Sequence, residues 1–230
     1  MSHNGSKLIP KRKYNAIRPV FGGGFVPPAG FTIYTAFNGF PAPPKTVVAP
    51  PLTKRMEYLQ NYSIVDAPET FEGKANGSLL DSQVITANGN NATLSTVEGA
   101  TAIVTNSVAA GRFNTTPAGA KYARFAPDQV SGFTLTMFMG TPIRAFGLYF
   151  TDLGDFGAQY TVKIYPTIGV PRAYNVPYTI LEASGNLIFW GFVDRSALYN
   201  QIDIYSNGGG GTDIGGFDDV TMAVAAQLVV

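Results

Sequence analysis

The sequence of 230 residues contains no cysteine and one histidine, His3. The absence of cysteine excludes disulfides and thiolate-bound metals. His3 has no partner base near it in the sequence, so we expect no Ser-His-Asp or Cys-His arrangement and no site built from several histidines. Carboxylates are the other route to catalysis, yet nothing in their spacing places a pair across a groove, as a glycosidase needs. We therefore expect that the protein is not an enzyme.

Long apolar runs are also missing from the sequence. No stretch reaches the roughly 18 apolar residues that a membrane helix needs. The basic N terminus is not followed by the apolar segment that is typical of a secretory signal. We therefore expect a protein that is made in the cytoplasm and has no membrane partner.

Charged residues make up only 13% of the chain, and they are divided unevenly along it. Residues 1–60 contain 9 of the 16 prolines and eight Lys or Arg against one acidic residue, whereas residues 61–230 contain eight Lys or Arg against fourteen acidic residues. A basic, proline-rich segment of this kind buries too little apolar surface to fold alone. We therefore divide the chain into an extended anchoring arm, 1–60, and a body, 61–230.

The arm interleaves basic and aromatic side chains, which favours a strap that lies on other proteins. The aromatics would promote aggregation if they were exposed, whereas pockets between neighbouring subunits would bury them. The prolines reduce the entropy that such a segment loses on becoming ordered. A disordered tail and a nucleic-acid-binding arm are the alternatives, and nucleic acid is the least favoured partner. The residues predicted to contact the partner are Lys11, Arg12, Lys13, Tyr14, Arg18, Phe21, Phe25, Phe31, Tyr34, Phe37 and Phe40.

The body has the pattern of an all-β protein. Short strand-like runs recur, with turn signals such as Asn88-Gly89 and Ser184-Gly185 between them. This spacing, without a convincing amphipathic helix, predicts an antiparallel two-sheet sandwich of jelly-roll type, preceded by the Pro/Gly-rich arm. The predicted strands are Glu69–Glu72, Gln83–Ala87, Ala92–Ser95, Thr101–Thr105, Tyr122–Phe125, Gly132–Phe138, Ile143–Thr151, Gln159–Tyr165, Tyr178–Leu181, Leu187–Val193, Gln201–Tyr205 and Gly215–Ala225.

Two segments of the arm also have local patterns. Phe31–Phe40 alternates like a short strand, and Lys54–Tyr62 has the spacing of one or two helical turns. Prolines between and around these segments are expected to stop regular structure.

Three motifs of the body occur in a recognisable order: Ala145–Asp152 (AFGLYFTD), Phe189–Asp194 (FWGFVD) and Gly216–Val220 (GFDDV). Over residues 67–225 this order resembles the β-sandwich ectodomains of exosortase-sorted (PEP-CTERM) bacterial proteins, and the resemblance implies a jelly-roll-like sandwich. The Pro-Glu-Pro tail and C-terminal membrane helix of that family are not found, so surface sorting is not implied. The layout of an arm before a sandwich also resembles tailed-phage decoration or cement proteins.

One group of acidic residues is a candidate for a structural cation. The first and last strands of a jelly roll often lie side by side, so Glu72, Asp218 and Asp219 could share a Ca²⁺, which takes six to eight oxygen ligands. The alternative is that Asp218 accepts backbone N–H bonds while Asp219 faces solvent. No other cofactor is expected.

A second acidic group and a tryptophan are further candidates. Asp152, Asp155 and Asp213 lie on glycine-containing loops, where turn formation is the favoured role and cation binding the alternative. Trp190 would suit carbohydrate stacking. Its strand, Phe189–Val193, has no polar face, however, which predicts burial on both sides and a place for Trp190 in the core.

These features favour a structural virion protein, most simply a phage capsid decoration or cement protein. Its arm would fasten the sandwich to acidic surfaces of other virion proteins in an oligomeric assembly, and its location would be the virion. The alternative is a lectin-like, carbohydrate-binding sandwich, with a Ca²⁺ in its site and a glycan as its partner. Contacts of the arm with other chains would favour the first function, and an arm folded back on its own sandwich would favour an autonomous domain.

Overall fold

A computed structural model describes residues 29–39, 47–97, 101–108, 111–126, 133–180, 185–206 and 213–229. These residues form strands and one α-helix, and a 3-10 turn follows at Ala225–Gln227. In chain order the elements are β1 (Phe31–Asn38), α1 (Pro51–Leu59), β2 (Val84–Ala87), β3 (Asn90–Thr96), β4 (Thr101–Thr105), β5 (Tyr122–Ala126), β6 (Phe133–Ile143), β7 (Ala145–Thr151), β8 (Tyr160–Pro166), β9 (Arg172–Asn175), β10 (Leu187–Asp194), β11 (Tyr199–Ser206) and β12 (Gly215–Ala223).

The strands form two antiparallel sheets, which confirms the predicted sandwich. The first sheet has the order β1-β10-β7-β12-β5-β4, and the second has the order β2-β3-β6-β11-β8-β9. Successive strands pair in β2–β3, β4–β5 and β8–β9, whereas the other neighbours come from more distant parts of the sequence, as β12 beside β5 and β3 beside β6 illustrate. The fold therefore depends mainly on long-range pairing.

Most of the predicted strands are present in the structure, and two of them are not. Glu69–Glu72 contributes one bridge, Glu69 to Val220, instead of a strand. The predicted strand at Tyr178–Leu181 is replaced by β9 a few residues earlier, and residue 181 lies outside the described residues. Strand β9 has four residues, of which only Tyr174 is buried, so it has too little alternation to be recognised.

Three central strands of the first sheet, β7, β10 and β12, are buried along their whole length. Alternate side chains of β10 enter two different clusters. Trp190 and Phe192 point into the core between the sheets, whereas Phe189 and Val193 point outward into a second cluster. The predicted core position of Trp190 is confirmed, since its side chain is 0% exposed. Burial of each large side chain of this kind contributes about 1.5–3 kcal/mol.

Helix α1 covers the outer face of the first sheet. The helix begins at Pro51, where the missing N–H costs nothing because the first turn has no intrahelical acceptor for it. Tyr58 projects from the helix onto β7, and a Cβ added to Gly147 would lie 3.0 Å from the Tyr58 ring. The Tyr58 ring also packs against Phe189 at 5.4 Å between centroids. A glycine in a central strand therefore makes the space that the helix fills.

Strand β1 places part of the predicted arm inside the sandwich. It pairs with β10 along its whole length, from Phe31 opposite Asp194 to Asn38 opposite Leu187. Phe31 stacks on Tyr174 at 5.7 Å. The boundary predicted at residue 60 is therefore corrected, since β1 and α1 belong to the folded body. The reason is that the aromatic side chains find apolar partners on their own sandwich.

The arm residues predicted to contact a partner fall into two groups, those that pack on their own chain and those outside the described residues. Phe31, Tyr34 and Phe37 pack against their own chain, with Phe31 and Phe37 on the core between the sheets and Tyr34 on the cluster below α1. The others lie outside the described residues: Lys11, Arg12, Lys13, Tyr14, Arg18, Phe21, Phe25 and Phe40.

In the part of the chain that the structure describes, no helix has the length and hydrophobicity needed to cross a lipid bilayer.

Replacing Tyr58 by alanine tests the role of the helix as a cover. The variant should lose about 3–5 kcal/mol of unfolding free energy, because it opens a cavity between α1 and β7. Chemical denaturation measures this loss. Met56→Ala is the matched control on the same helix, since Met56 is 60% exposed, and it should change the stability by less than about 0.5 kcal/mol. Equal effects of the two substitutions would contradict the packing described here.

Candidate functional site

The second sheet turns one face to the core and the other to solvent. Along β6 the residues alternate, so that Leu135 and Met137 are buried whereas Phe138 is 49% exposed. Strands β8 and β11 turn their residues to the two sides in the same order, although Thr161 and Asp203 on the outward side are nearly buried. We call the solvent-directed side of this sheet the open face. Its side chains are Val84, Thr86, Asn91, Thr93, Ser95, Thr134, Thr136, Phe138, Thr161, Lys163, Tyr165, Ala173, Asn175, Gln201, Asp203 and Tyr205.

Strand register arranges the open face in rows that cross the sheet. The first row is Val84, Thr93, Phe138, Gln201 and Tyr165, because each residue is paired with the next. Phe138 and Tyr165 therefore flank Gln201 at the same height, with one strand between them.

Two further rows follow at alternate positions of the same strands. The second row is Ser95, Thr136, Asp203, Lys163 and Ala173. The third row is Thr134, Tyr205, Thr161 and Asn175. Across these three rows the charged side chains are one carboxylate and one ammonium, so the face has little net charge.

Asp203 lies at the centre of the open face and accepts hydrogen bonds from two of its side chains. Its Oδ2 accepts the Tyr165 hydroxyl at 2.5 Å, and its Oδ1 accepts the Gln201 amide at 2.9 Å. Asp203 itself is 8% exposed. These two hydrogen bonds fix the Tyr165 ring and the Gln201 amide before any ligand arrives.

Lys163 extends this cluster on the other side of Tyr165. Its ammonium lies 4.8 Å from the centre of the Tyr165 ring. The hydrogen bond with Tyr165 raises the pKa of Lys163 above its ordinary value. Burial, together with the bond to Asp203, raises the pKa of Tyr165. The site therefore presents the Lys163 ammonium beside a neutral Tyr165 phenol, and the phenol is bonded to Asp203.

The arrangement can bind a ligand that is both polar and flat. Phe138 and Tyr165 offer apolar ring faces, which pack on flat apolar surfaces. Gln201, Asp203 and Lys163 offer donors and acceptors between and beside these rings. Together these groups can contact both the flat face and the polar edge of one ligand.

Sequence reasoning misses these residues, although a signal is present. In Thr134–Phe138 and Gln201–Tyr205 every second residue is polar or aromatic, and the residues between them are aliphatic or methionine. Such alternation predicts a strand with one solvent-directed side. It does not show which strands are neighbours, and only the pairing brings Phe138, Gln201 and Tyr165 together.

The predicted cation residues lie in one hydrogen-bonded network at the edge of β12. The amide nitrogen of Asn114 lies 3.2 Å from Glu72 Oε1 and 3.1 Å from Asp218 Oδ2. Asp218 also accepts the backbone N–H of Thr115 at 2.8 Å. Burial and then the charge of Asp219 raise the pKa of Asp218 well above its ordinary value. Asp219 is buried as well, so the alternative that it faces solvent is wrong.

A lysine supplies positive charge beside this network. Lys121 Nζ donates to the backbone carbonyls of Glu72, at 2.8 Å, and Lys74, at 2.6 Å. Among the described residues no three His, Cys, Asp or Glu side chains are arranged to hold a metal ion. A Ca²⁺ at Glu72, Asp218 and Asp219 stays a prediction, and the ammonium of Lys121 is the cation that the structure places next to Glu72.

The second acidic group ties loops together at one end of the sandwich. Asp152 accepts the Gly185 N–H at 2.8 Å and Arg112 Nη1 at 2.9 Å. Asp213 accepts the Gly154 N–H at 2.8 Å and lies beside Asp155. Burial is the main cause that raises the pKa of Asp152 to about 6 and that of Asp213 to about 8. These contacts are those of loop-forming residues.

Comparison with known proteins finds solved structures that are similar at low sequence identity. No family model matches the chain, and no curated protein matches it. Among solved structures, the K2 cleaved adhesin domain of Lys-gingipain is 14% identical with a TM-score of 0.45, covering 70% of this chain and 98% of that domain. A xylan-binding domain of carbohydrate-binding module family 22 is 11% identical with a TM-score of 0.40, covering 74% and 98%.

A phage protein is also among the similar structures. The enzymatically active domain of bacteriophage CBA120 tailspike protein 4 is 13% identical with a TM-score of 0.38, and the match covers 73% of this chain and 21% of that one. The resemblance to exosortase-sorted proteins and to phage decoration proteins stays a prediction.

Removing the ammonium of Lys121 tests its structural role. Lys121→Met should lower the unfolding free energy by about 2 kcal/mol, since two carbonyls lose a charged donor. Thermal or chemical denaturation measures the change. Lys74→Met is the control, because Lys74 Nζ makes one exposed bond to the Val84 carbonyl, and it should cost less than about 0.5 kcal/mol. A Lys121→Met variant as stable as the parent would refute this role.

From the raised pKa of Asp213 we predict that the unfolding free energy falls as pH rises. The folded-state pKa of Asp213, about 8, lies above its ordinary value of 3.8. Between these values the folded protein binds the proton more tightly than the unfolded chain, so the unfolding free energy decreases with increasing pH. Denaturation at several pH values should show this decrease, and Asp213→Asn should make it shallower. Asp81→Asn, at an exposed carboxylate, is the control. An unchanged slope in Asp213→Asn would rule out this assignment.

Proposed function

We propose that the protein is a carbohydrate-binding sandwich that holds glycans on the open face of its second sheet. The observation that carries this proposal is the cluster of Phe138, Gln201, Tyr165, Asp203 and Lys163. It combines two aromatic side chains with a fixed set of polar groups on one accessible surface.

Sugars suit this cluster for a chemical reason. A pyranose has an apolar face of C–H groups and a rim of hydroxyls that both donate and accept hydrogen bonds. Aromatic rings pack on the first, and the amide, carboxylate and ammonium groups bond the second. Because Asp203 already orients Tyr165 and Gln201, little conformational entropy is lost when a ligand binds.

The charge of the open face favours a glycan over nucleic acid. Binding to phosphates depends on several Lys or Arg side chains, whereas the charged groups of this face are Asp203 and Lys163. Attachment to a virion through the arm remains a separate prediction. It now concerns the arm residues outside the described part of the chain, because Phe31, Tyr34 and Phe37 pack on their own sandwich.

Glycan binding is tested with the purified full-length protein on a glycan array, followed by calorimetric titration of the saccharides that bind. Phe138→Ala and Tyr165→Ala should each weaken binding about tenfold, or about 1.4 kcal/mol. Phe156→Ala is the matched control, since Phe156 is an exposed aromatic residue in the turn between β7 and β8 and does not belong to the open face. It should bind as the parent does.

Two results would count against this function. One is the absence of binding to any saccharide of the array. The other is binding that survives both aromatic substitutions, which would place the site elsewhere on the molecule. Unchanged melting curves of the variants exclude unfolding as the cause of a loss.

A further inference from the structure

We infer that the ligand of the open face is an extended, neutral, β-1,4-linked glycan that crosses the strands along the first row. This inference rests on the proposed glycan-binding function and names the class of glycan and its direction.

The direction follows from the positions of the two aromatic residues. Phe138 on β6 and Tyr165 on β8 are both paired with Gln201 on the strand between them. Neighbouring strands are about 4.8 Å apart, so the two residues are separated by roughly 9–10 Å at one height of the sheet. A chain that contacts both must therefore run across the strands.

The linkage follows from this separation. A β-1,4-linked chain of pyranoses forms an extended ribbon, and its disaccharide repeat is close to the distance between the two aromatic residues. Alternate sugars can then each pack on one aromatic side chain. An α-1,4-linked chain curls, which turns its second ring face away from the same surface.

The polar groups suit the sugar between the two stacked ones. Gln201 lies directly between Phe138 and Tyr165, and its amide is fixed by Asp203 at 2.9 Å. Asp203 is one row away and retains acceptor capacity for hydroxyl groups. Lys163 is paired with Asp203 in the second row, so the face has no net positive charge with which to attract an acidic sugar. A neutral glycan is therefore the class that the row fits.

The inference is tested by titrating the full-length protein with oligosaccharides of two lengths and three chemistries. The neutral β-1,4-linked probes are cello-, manno- and xylo-oligosaccharides, as disaccharides and tetrasaccharides. Maltotetraose is the α-linked probe and tetragalacturonic acid the acidic one. At least one β-1,4-linked tetrasaccharide should bind about tenfold more tightly than its disaccharide, because only the longer chain contacts both aromatic residues. The α-linked and acidic probes should bind more weakly than that tetrasaccharide.

Substitutions then test whether the glycan contacts the first row or another part of the open face. Phe138→Ala should abolish the advantage of the tetrasaccharide, since one stacking position is gone. Tyr205→Ala is the matched control: Tyr205 is a tyrosine on the same face and on the same strand as Gln201, but it lies in the third row. Its loss should change both affinities by less than about twofold.

The outcomes distinguish this inference from the proposed function. Binding of no saccharide overturns both. Preferred binding of maltotetraose or tetragalacturonic acid, or equal affinity for short and long β-1,4-linked chains, overturns the inference and leaves glycan binding intact. A loss in Tyr205→Ala as large as in Phe138→Ala would mean that the glycan runs along the strands, which also overturns it.

Discussion

The packing of α1 on the first sheet determines which surfaces of the molecule remain accessible. Tyr58 fills the space above Gly147 and contacts Phe189, and its hydroxyl bonds Tyr62 and Thr221. Burial raises the pKa of Tyr58, so its hydroxyl stays neutral in this contact. The central strands of the first sheet, β7, β10 and β12, are thereby buried on both sides. The second sheet packs one side against this layer and has its other side directed to solvent.

The open face lies on the side of the second sheet that is turned away from this buried layer. Its polar centre is one nearly buried side chain, Asp203, which accepts hydrogen bonds from Tyr165 and Gln201. These three residues lie on two adjacent strands whose inward neighbours, such as Ile202, Ile204 and Ile164, are fully buried. Side chains with fixed backbones and fixed partners lose little freedom on binding, which favours a defined ligand geometry.

The sequence alone predicts the sandwich because its strands alternate strongly and its turns have clear signals. It also places Trp190 in the core, since Phe189–Val193 has no polar side. It does not predict that Phe31–Asn38 joins the sheet, because a pairing with β10 more than a hundred residues away leaves no local pattern. The candidate site is hidden for the same reason. Gln201 and Phe138 are neighbours only through strand pairing, whereas the acidic pair Asp218 and Asp219 is visible in the sequence and therefore attracts attention first.

The acidic residues illustrate how a visible motif can have a structural role. Asp218 is buried and bonded by Thr115 and Asn114, and Lys121 supplies a positive charge to the neighbouring carbonyls. Such contacts join the first body segment to the last strand. They stabilise the sandwich where the segment around Glu72 packs beside the last strand, β12.

Strand β1 has a mechanical consequence. Its eight residues pair with β10 in one continuous antiparallel ladder, and the preceding chain enters at Phe31. If that preceding chain is tethered, tension directed along β1 is shared by all the ladder hydrogen bonds at once, as in shear, instead of opening them one after another. A ladder loaded in this way resists force better than a hairpin that is peeled from its end, so β1 would stay paired with β10 under such tension.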